Sequence, residues 1–470
     1  VENKAQRRRS SIHTKFLQPR WHSSFRNSVW RERGMVALTF TFALFLCVEA
    51  GWKAPFPEPR DVGPRGLTQP AADSLVEQKA STLRSAAYAT LEETQARRFS
   101  DSDYPKVYMY DLGKEFRETD CSDFPAESQR KQECLFGPMV DLSFSNGKQL
   151  KCRSPGQFDL GRIFFDKMQS YRRLVASPEH ADLFFIPSYR DQHNRDTKYY
   201  GCPKHAASKR ALAHFNYTTA SRHFIVSPRV STNGLCPAYV GDRSSPNVQK
   251  ISVLTIEAIL TEGAFSIPYP TIASGMTRGE LNELLVESRL EKRAFLATGS
   301  FGFHGPWIQL RSSLYDQCQQ AHDCLHSSLS EQDVYSSYRH NSLRSTFCLE
   351  PPGDSLSRKG ILDSMVLGCI PVLFQPLQAG LWPWHVPLGD VAVMLETPHK
   401  HNNVMQELRK IKAERIKELQ ENILKFATRI TYGRGGEGSS IEDSYEDAFD
   451  TTLVNIWRSI KNKKTKQWEA

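Results

Sequence analysis

FCLEPPGDSLSRKGILDSMVLGCIPVLF, residues 347–374, sets a charged turn between two apolar runs. Phe347, Cys348 and Leu349 read as the end of a buried strand that Pro351, Pro352 and Gly353 stop, with Gly353 supplying the backbone freedom of a sharp turn. Asp354, Ser355, Ser357, Arg358 and Lys359 then precede an apolar-periodic stretch, Ile361, Leu362, Met365 and Val366. Hydroxyls and cations therefore gather at a helix N-terminus, where free N–H groups and the macrodipole favour a diphosphate. Gly368 ends that helix, and 370–374 reads as a second buried strand with Pro371 near its start.

The alternation extends outward from this unit. Further β-rich runs at 106–112, 181–188, 223–227, 251–256, 294–299, 345–349, 369–374 and 391–395 are separated by helical stretches, which predicts parallel α/β sheets. They are too many for one small domain, and the polar stretch 272–292 reads as a hinge between two Rossmann-like halves. From 404 to 431, Leu408, Ile411, Ile416, Leu419, Ile423 and Phe426 recur at helical spacing and predict an amphipathic packing region that could bridge the halves. GRGGEG at 433–438 follows a helix rather than a strand and lacks the GxGxxG order, so it reads as a surface loop.

The 470 residues are 39% hydrophobic and 24% charged, ordinary for a globular protein. Much of the +9 net charge sits in the first 33 residues, which hold Lys4, Arg7, Arg8, Arg9, Lys15, Arg20, Arg26, Arg31 and Arg33 against Glu2 and Glu32. No comparable basic stripe follows, which argues against nucleic acid as a partner. GMVALTFTFALFLCVEAGW, 34–52, reads as a short signal-anchor helix, against the alternative of a cleaved signal peptide; a span needs ~20 apolar residues. Pro55, Pro57, Pro59, Pro64 and Pro70 open a stem over 53–103. Because the first residue is Val1, the chain is expected to begin within a longer reading frame.

Cysteine number and placement fit an oxidising compartment. Cys318 and Cys324 are disulfide candidates, as are pairings among Cys121, Cys134, Cys152, Cys202 and Cys236. Cys348 and Cys369, inside the apolar strands, read as free buried thiols. Asn216-Tyr217-Thr218 is a glycosylation sequon. Asp101-Ser102-Asp103 has an Asp-x-Asp pattern, yet it precedes the first strand at the stem boundary and reads as a solvated turn rather than a metal site.

The segment 347–374 resembles the signature of the exostosin-like glycosyltransferases, most closely their plant xyloglucan galactosyltransferase branch. The resemblance continues through KVYMYDL (106–112), DLFFIPSY (182–189), RHFIVSPRV (222–230), FSIPYPT (265–271), WHVP (384–387) and YEDAFD (445–450). It implies an α/β, GT-B-like fold: two facing Rossmann-like domains behind an N-terminal membrane anchor and stem. The expected order is a cytosolic tail (1–33), anchor (34–52), stem (53–103), acceptor-side domain (104–280), nucleotide-sugar domain (281–400) and closing helices (401–470).

The same resemblance implies a Golgi type II membrane enzyme with its body in the lumen. It would use a UDP-sugar as substrate, with galactose the candidate sugar, and need no cofactor or metal. The acceptor would be a polysaccharide or glycoprotein glycan, with inversion at the anomeric centre; a complex with other glycosyltransferases is a candidate. A noncatalytic glycan-binding or scaffolding protein on this fold is the competing reading.

Arg358 and Lys359, with Ser355 and Ser357, are expected on the diphosphate, and Glu350, Gly353 and Asp354 in sugar, ribose or loop positioning; the competing reading is a solvated βα turn. Gly299 and Arg311 match a second motif, in which Arg311 reaches the donor or is merely a surface helix residue. For the acceptor's general base, Asp191 and His193, beside Arg190, follow the strand ending at 187–189 and so stand at a sheet's carboxyl edge. Relatives are expected to carry an acid at His193, Glu at Gly161 and Thr-Trp-Asp at Ser231-Thr232-Asn233, departures that all fall in the acceptor half and imply a different acceptor or lost activity. Trp382 and Trp384 read either as a sugar-stacking wall or as packing.

Overall fold

Two five-stranded sheets, each parallel throughout, form the body of the protein. The computed structural model describes residues 84–93, 98–112, 128–187, 212–228, 246–258, 263–327, 334–395, 403–434 and 445–468, with a few single positions between them, all within one compact unit of 70–470. The N-terminal half carries β1 (Val107–Met109), an antiparallel hairpin of β2 (Met139–Ser143) and β3 (Gln149–Arg153), then β4 (Leu183–Ile186), β5 (His223–Ser227), β6 (Ser252–Thr255) and β7 (Ala264–Ser266). Outside the hairpin, these strands pair in simple chain order. β4, β5 and β6 are buried at every position, as strands covered on both faces must be.

The C-terminal half contains β8 (Phe295–Gly299), β9 (Cys324–His326), β10 (Ser345–Leu349), β11 (Ile370–Leu373) and β12 (Val393–Met394), in the spatial order β12-β11-β10-β8-β9. After α1 (Arg278–Leu290), α2 (Ile308–Gln320) joins β8 to β9, α3 (Val334–Arg344) returns past β8 to β10, and α4 (Lys359–Val366) joins β10 to β11. Chain direction across the sheet therefore reverses between β8 and β10. In open α/β sheets that reversal leaves a crevice at the strands' carboxyl ends, the favoured place for a ligand.

Three sequence expectations need correction. The stretch 272–292 does lead from β7 of one half to β8 of the other, but as a packed segment rather than an open polar one: Ile272, Ala273 and Ser274 are buried, and Thr277 and Glu280 form a capping box that starts α1. Its Leu281, Leu284 and Leu285 are buried, so packing fixes this segment. Cys348 and Cys369 are not free thiols but a disulfide, because the α4 crossover returns β11 beside β10 and brings the two Cα atoms to 5.8 Å. The bridge between halves is α5's successor, not the 404–431 region, which forms Val404–Arg409 and α5 (Ala413–Phe426). That successor, α6 (Ala448–Trp468), packs Phe449 on Phe164 and Tyr171 of the N-terminal half while Thr452 bonds His385 of the C-terminal half.

Cys318–Cys324 is a disulfide, as expected, and Cys121–Cys134 is another. Cys152 is free and buried. Asp103 caps its own turn with Ser100 and bonds Arg458 on α6 at 2.7 Å. Among the described residues no helix is long and apolar enough to cross a membrane; the segment 34–52 lies outside them.

Candidate functional site

The turn after β10 stands at the sheet's reversal point, facing the turn after β8. Two arginines join them. Arg311 of α2, only 2% exposed, donates from Nη1 to the Gly302 carbonyl (2.8 Å) and from Nε to the Pro352 carbonyl (2.9 Å). Arg358 donates from Nη2 to the Ser300 carbonyl (2.9 Å) and from Nη1 to the Pro351 carbonyl (3.3 Å). Arg311 is thus not a surface residue; through Nε and Nη1 its guanidinium is a strut between the loops. Burial, and then Arg358 nearby, pull its pKa down to about 10.

Gly353 is demanded by that strut rather than by turn geometry. Its φ is not in the left-handed region, but a Cβ there would lie 2.8 Å from Arg311 Nη2. Gly299 is constrained likewise, since a Cβ would lie 2.8 Å from the Phe301 ring.

Glu350, 2% exposed, begins the turn, and its Oε2 lies 3.1 Å from Arg358 Nε. Gln378, fully buried, clamps the turn at both ends by donating to the Glu350 and Leu356 carbonyls (3.2 and 3.1 Å). Tyr338 of α3 reaches the Gly360 carbonyl at 2.9 Å and Glu350 Oε1 at 3.4 Å.

From the N-terminal half, Tyr269 bonds the Ser357 hydroxyl (3.0 Å), and Glu257, just beyond β6, accepts the Ser357 N–H (2.6 Å). Lys359 pairs with Asp363, which also accepts the Ile272 N–H at 3.0 Å. Asp354 and Ser355 lie at the outer face, with Asp354 Oδ1 3.8 Å from His304.

The structure therefore gathers Arg311, Glu350, Gly353, Asp354, Ser355, Ser357, Arg358 and Lys359 around the N-terminus of α4. First-turn N–H groups of a helix have no intrahelical acceptor, and here two cations adjoin them. Such an arrangement can neutralise a leaving diphosphate. Arg190, Asp191 and His193 lie outside the described residues. Trp382 packs: it is fully buried, with Nε1 donating to the Ile256 carbonyl, while Trp384 stacks on Phe265 at 4.7 Å.

A family model for the exostosin GT47 domain matches residues 102–397. The chain belongs to the exostosin GT47 family. It is a glycosyltransferase.

Among its relatives in Arabidopsis thaliana, a probable xyloglucan galactosyltransferase is 25% identical over 77% of this chain and 84% of its own length. A xyloglucan galactosyltransferase is 24% identical over 74% and 61%, and a xyloglucan-specific galacturonosyltransferase 24% identical over 75% and 57%. A crystal structure of the pneumococcal O-GlcNAc transferase in complex with UDP and GlcNAc covers 69% of this chain and 65% of its own at 11% identity, with a TM-score of 0.25, too low a likeness to place residues.

Sequence reasoning missed Glu257, Tyr269, Tyr338, Asp363 and Gln378. Glu257 carried a usable signal, because it follows the apolar run of β6 as Asp191 follows that of β4. Gln378 carried none.

Glu350 gives the site a pH response. Desolvation, which Arg358, Tyr338 and Arg311 oppose and Asp363 reinforces, raises its pKa to about 7. As pH falls through 7, Glu350 takes up a proton and Arg358 loses its countercharge. UDP-sugar phosphates do not titrate in this range, so the affinity for a UDP-sugar should rise severalfold from pH 8 to 6. Titration calorimetry at both pH values checks this, and a Glu350→Gln variant should show a flat profile. For stability the sign is fixed too: the carboxyl's raised pKa contributes most at pH below its ordinary value, and that contribution is lost as pH rises through 7.

Proposed function

We propose that this enzyme transfers a sugar from a UDP-sugar to a polysaccharide or glycoprotein glycan, inverting the anomeric centre and requiring no metal. The observation carrying this reading is the anion-ready turn at the sheet reversal, held by Arg311, Arg358 and Gln378 at the N-terminus of α4. Galactose is the first donor to test, because relatives are named galactosyltransferases, and galacturonic acid the second. Arg358, Lys359 and the first turn of α4 would neutralise the departing UDP. Asp191 and His193 remain base candidates; Glu257 joins them as the carboxylate of the opposite half that touches the donor turn.

We place the enzyme in the Golgi membrane with its body in the lumen, a reading supported by the three disulfides among the described residues, which suit an oxidising compartment. A complex with other glycosyltransferases belongs to the same reading. UDP release by the purified protein, measured over UDP-galactose, UDP-galacturonic acid and other UDP-sugars with and without EDTA, tests it. Turnover with one donor that survives EDTA is expected. Turnover that EDTA abolishes would remove the metal-independent mechanism, and none with any donor and xyloglucan or glycoprotein acceptors would remove the proposed substrates.

A further inference from the structure

A second polar cavity, 310 Å³ in volume, lies between the β2 strand of the hairpin and α3. Arg339 lines it, only 6% exposed, and its Nε has no hydrogen-bond partner. Among the described residues no carboxylate pairs with this guanidinium. An arginine so enclosed usually meets a carboxylate, phosphate or sulfate through its planar fork, and leaving it without an acceptor is costly. By contrast, the buried Arg293, Arg311 and Arg358 elsewhere in the C-terminal half all bond carbonyls or carboxylates.

The rest of the wall narrows the ligand. Ser143 and Ser337 offer hydroxyls, and the lining is more polar than apolar, with Leu142 and Leu343 almost wholly buried behind it. Asp141, which shares Ser143's face of β2, would repel a bare inorganic anion but can accept from sugar hydroxyls. The volume is at the lower end for small-molecule sites, which begin at about 300 Å³, and exceeds what one inorganic anion fills.

We infer that this cavity binds an acidic monosaccharide unit, its carboxylate or sulfate held by Arg339 and its hydroxyls by Asp141, Ser143 and Ser337. The site is separate from the turn after β10 and does not depend on which donor that turn takes. It would give the enzyme a second hold on an acidic glycan.

Titration calorimetry of the full chain with glucuronate, glucose 6-sulfate, glucose and inorganic phosphate tests the inference. Saturable binding of one or both acidic sugars is expected, with no heat from glucose at the same concentration. The arms separate a carboxylate from a sulfate ligand. Arg339→Met should weaken binding at least tenfold. Ser143→Trp, at an exposed strand position, should fill the mouth and do the same while leaving UDP affinity within twofold; it decides the matter if Arg339→Met does not fold. No binding of either acidic sugar, equal binding of glucose, displacement by equimolar phosphate, or undiminished binding in Ser143→Trp would each overturn the assignment.

Discussion

Arg358→Ala should lower kcat/KM for the UDP-sugar about a thousandfold, the scale on which removal of a preorganised charge-stabilising donor acts. Two losses combine. The cation nearest the N-terminus of α4 disappears, so a departing diphosphate has fewer donors to meet. The links to the Ser300 and Pro351 carbonyls also go, and with them one of the two struts that hold the β8 and β10 turns together. Glu350 is then left enclosed without the ion partner that opposes its desolvation, so its carboxyl titrates at still higher pH.

Arg358→Lys should recover little, since one ammonium cannot span Glu350 and both carbonyls. Initial rates over a UDP-sugar concentration series, with circular dichroism to confirm folding, check this. A folded Arg358→Ala protein retaining more than about a tenth of the wild-type kcat/KM would remove Arg358 from the donor site, because such donors typically contribute about a hundredfold or more.

The strands at 223–227 and 345–349 were legible because each holds a three-residue apolar run, 224–226 and 347–349, with a polar or proline stop soon after it. The β2–β3 hairpin was not, since Met139, Asp141 and Ser143 alternate outward and only Leu142 is buried along β2. β9 is three residues long and half-buried, tied to α2 by the Cys318–Cys324 disulfide; nothing in DCLHS marks it as a strand. For the site, residues supplied by the turn itself could be read, because proline, glycine, hydroxyls and cations cluster in one segment. Residues supplied from elsewhere could not. Tyr338 sits in a helix whose apolar pattern is weak, and Gln378 becomes informative only once β11 has brought the following turn under Glu350. Arg311 was visible as a motif residue, but its role depends on two carbonyls that chain spacing does not bring together.

The same reasoning picks out Arg293, which no motif marks. It should be the most damaging single position outside the site: Arg293→Met is expected to cost about 4 kcal/mol, judged from unsatisfied buried groups at about 1–3 kcal/mol each. Its Nη1 donates to the Ser342 carbonyl (2.7 Å), to that of Leu343 and to that of Ser345 (3.2 Å); Nη2 serves those of Ser288 (2.5 Å) and Leu367 (2.8 Å). All but that of Ser345, which opens β10, lie at the C-terminal ends of α1, α3 and α4, where the last turns have no intrahelical donor and the dipole favours a cation. One guanidinium therefore caps three helices at once.

Gly368, at φ +68°, completes the arrangement, because a Cβ there would lie 2.5 Å from Arg293 Nη2 and 2.8 Å from the Ser288 carbonyl. Lysine at 293 has three donors on a single nitrogen and cannot reach carbonyls on opposite sides, so Arg293→Lys should recover only a small part. Differential scanning calorimetry should show Tm falling by about 5 °C in Arg293→Met. Because α4 carries the donor turn at its other end, UDP affinity should fall with it. A Tm within about 2 °C of wild type would mean that water replaces the guanidinium at these helix ends and that the triple cap contributes little.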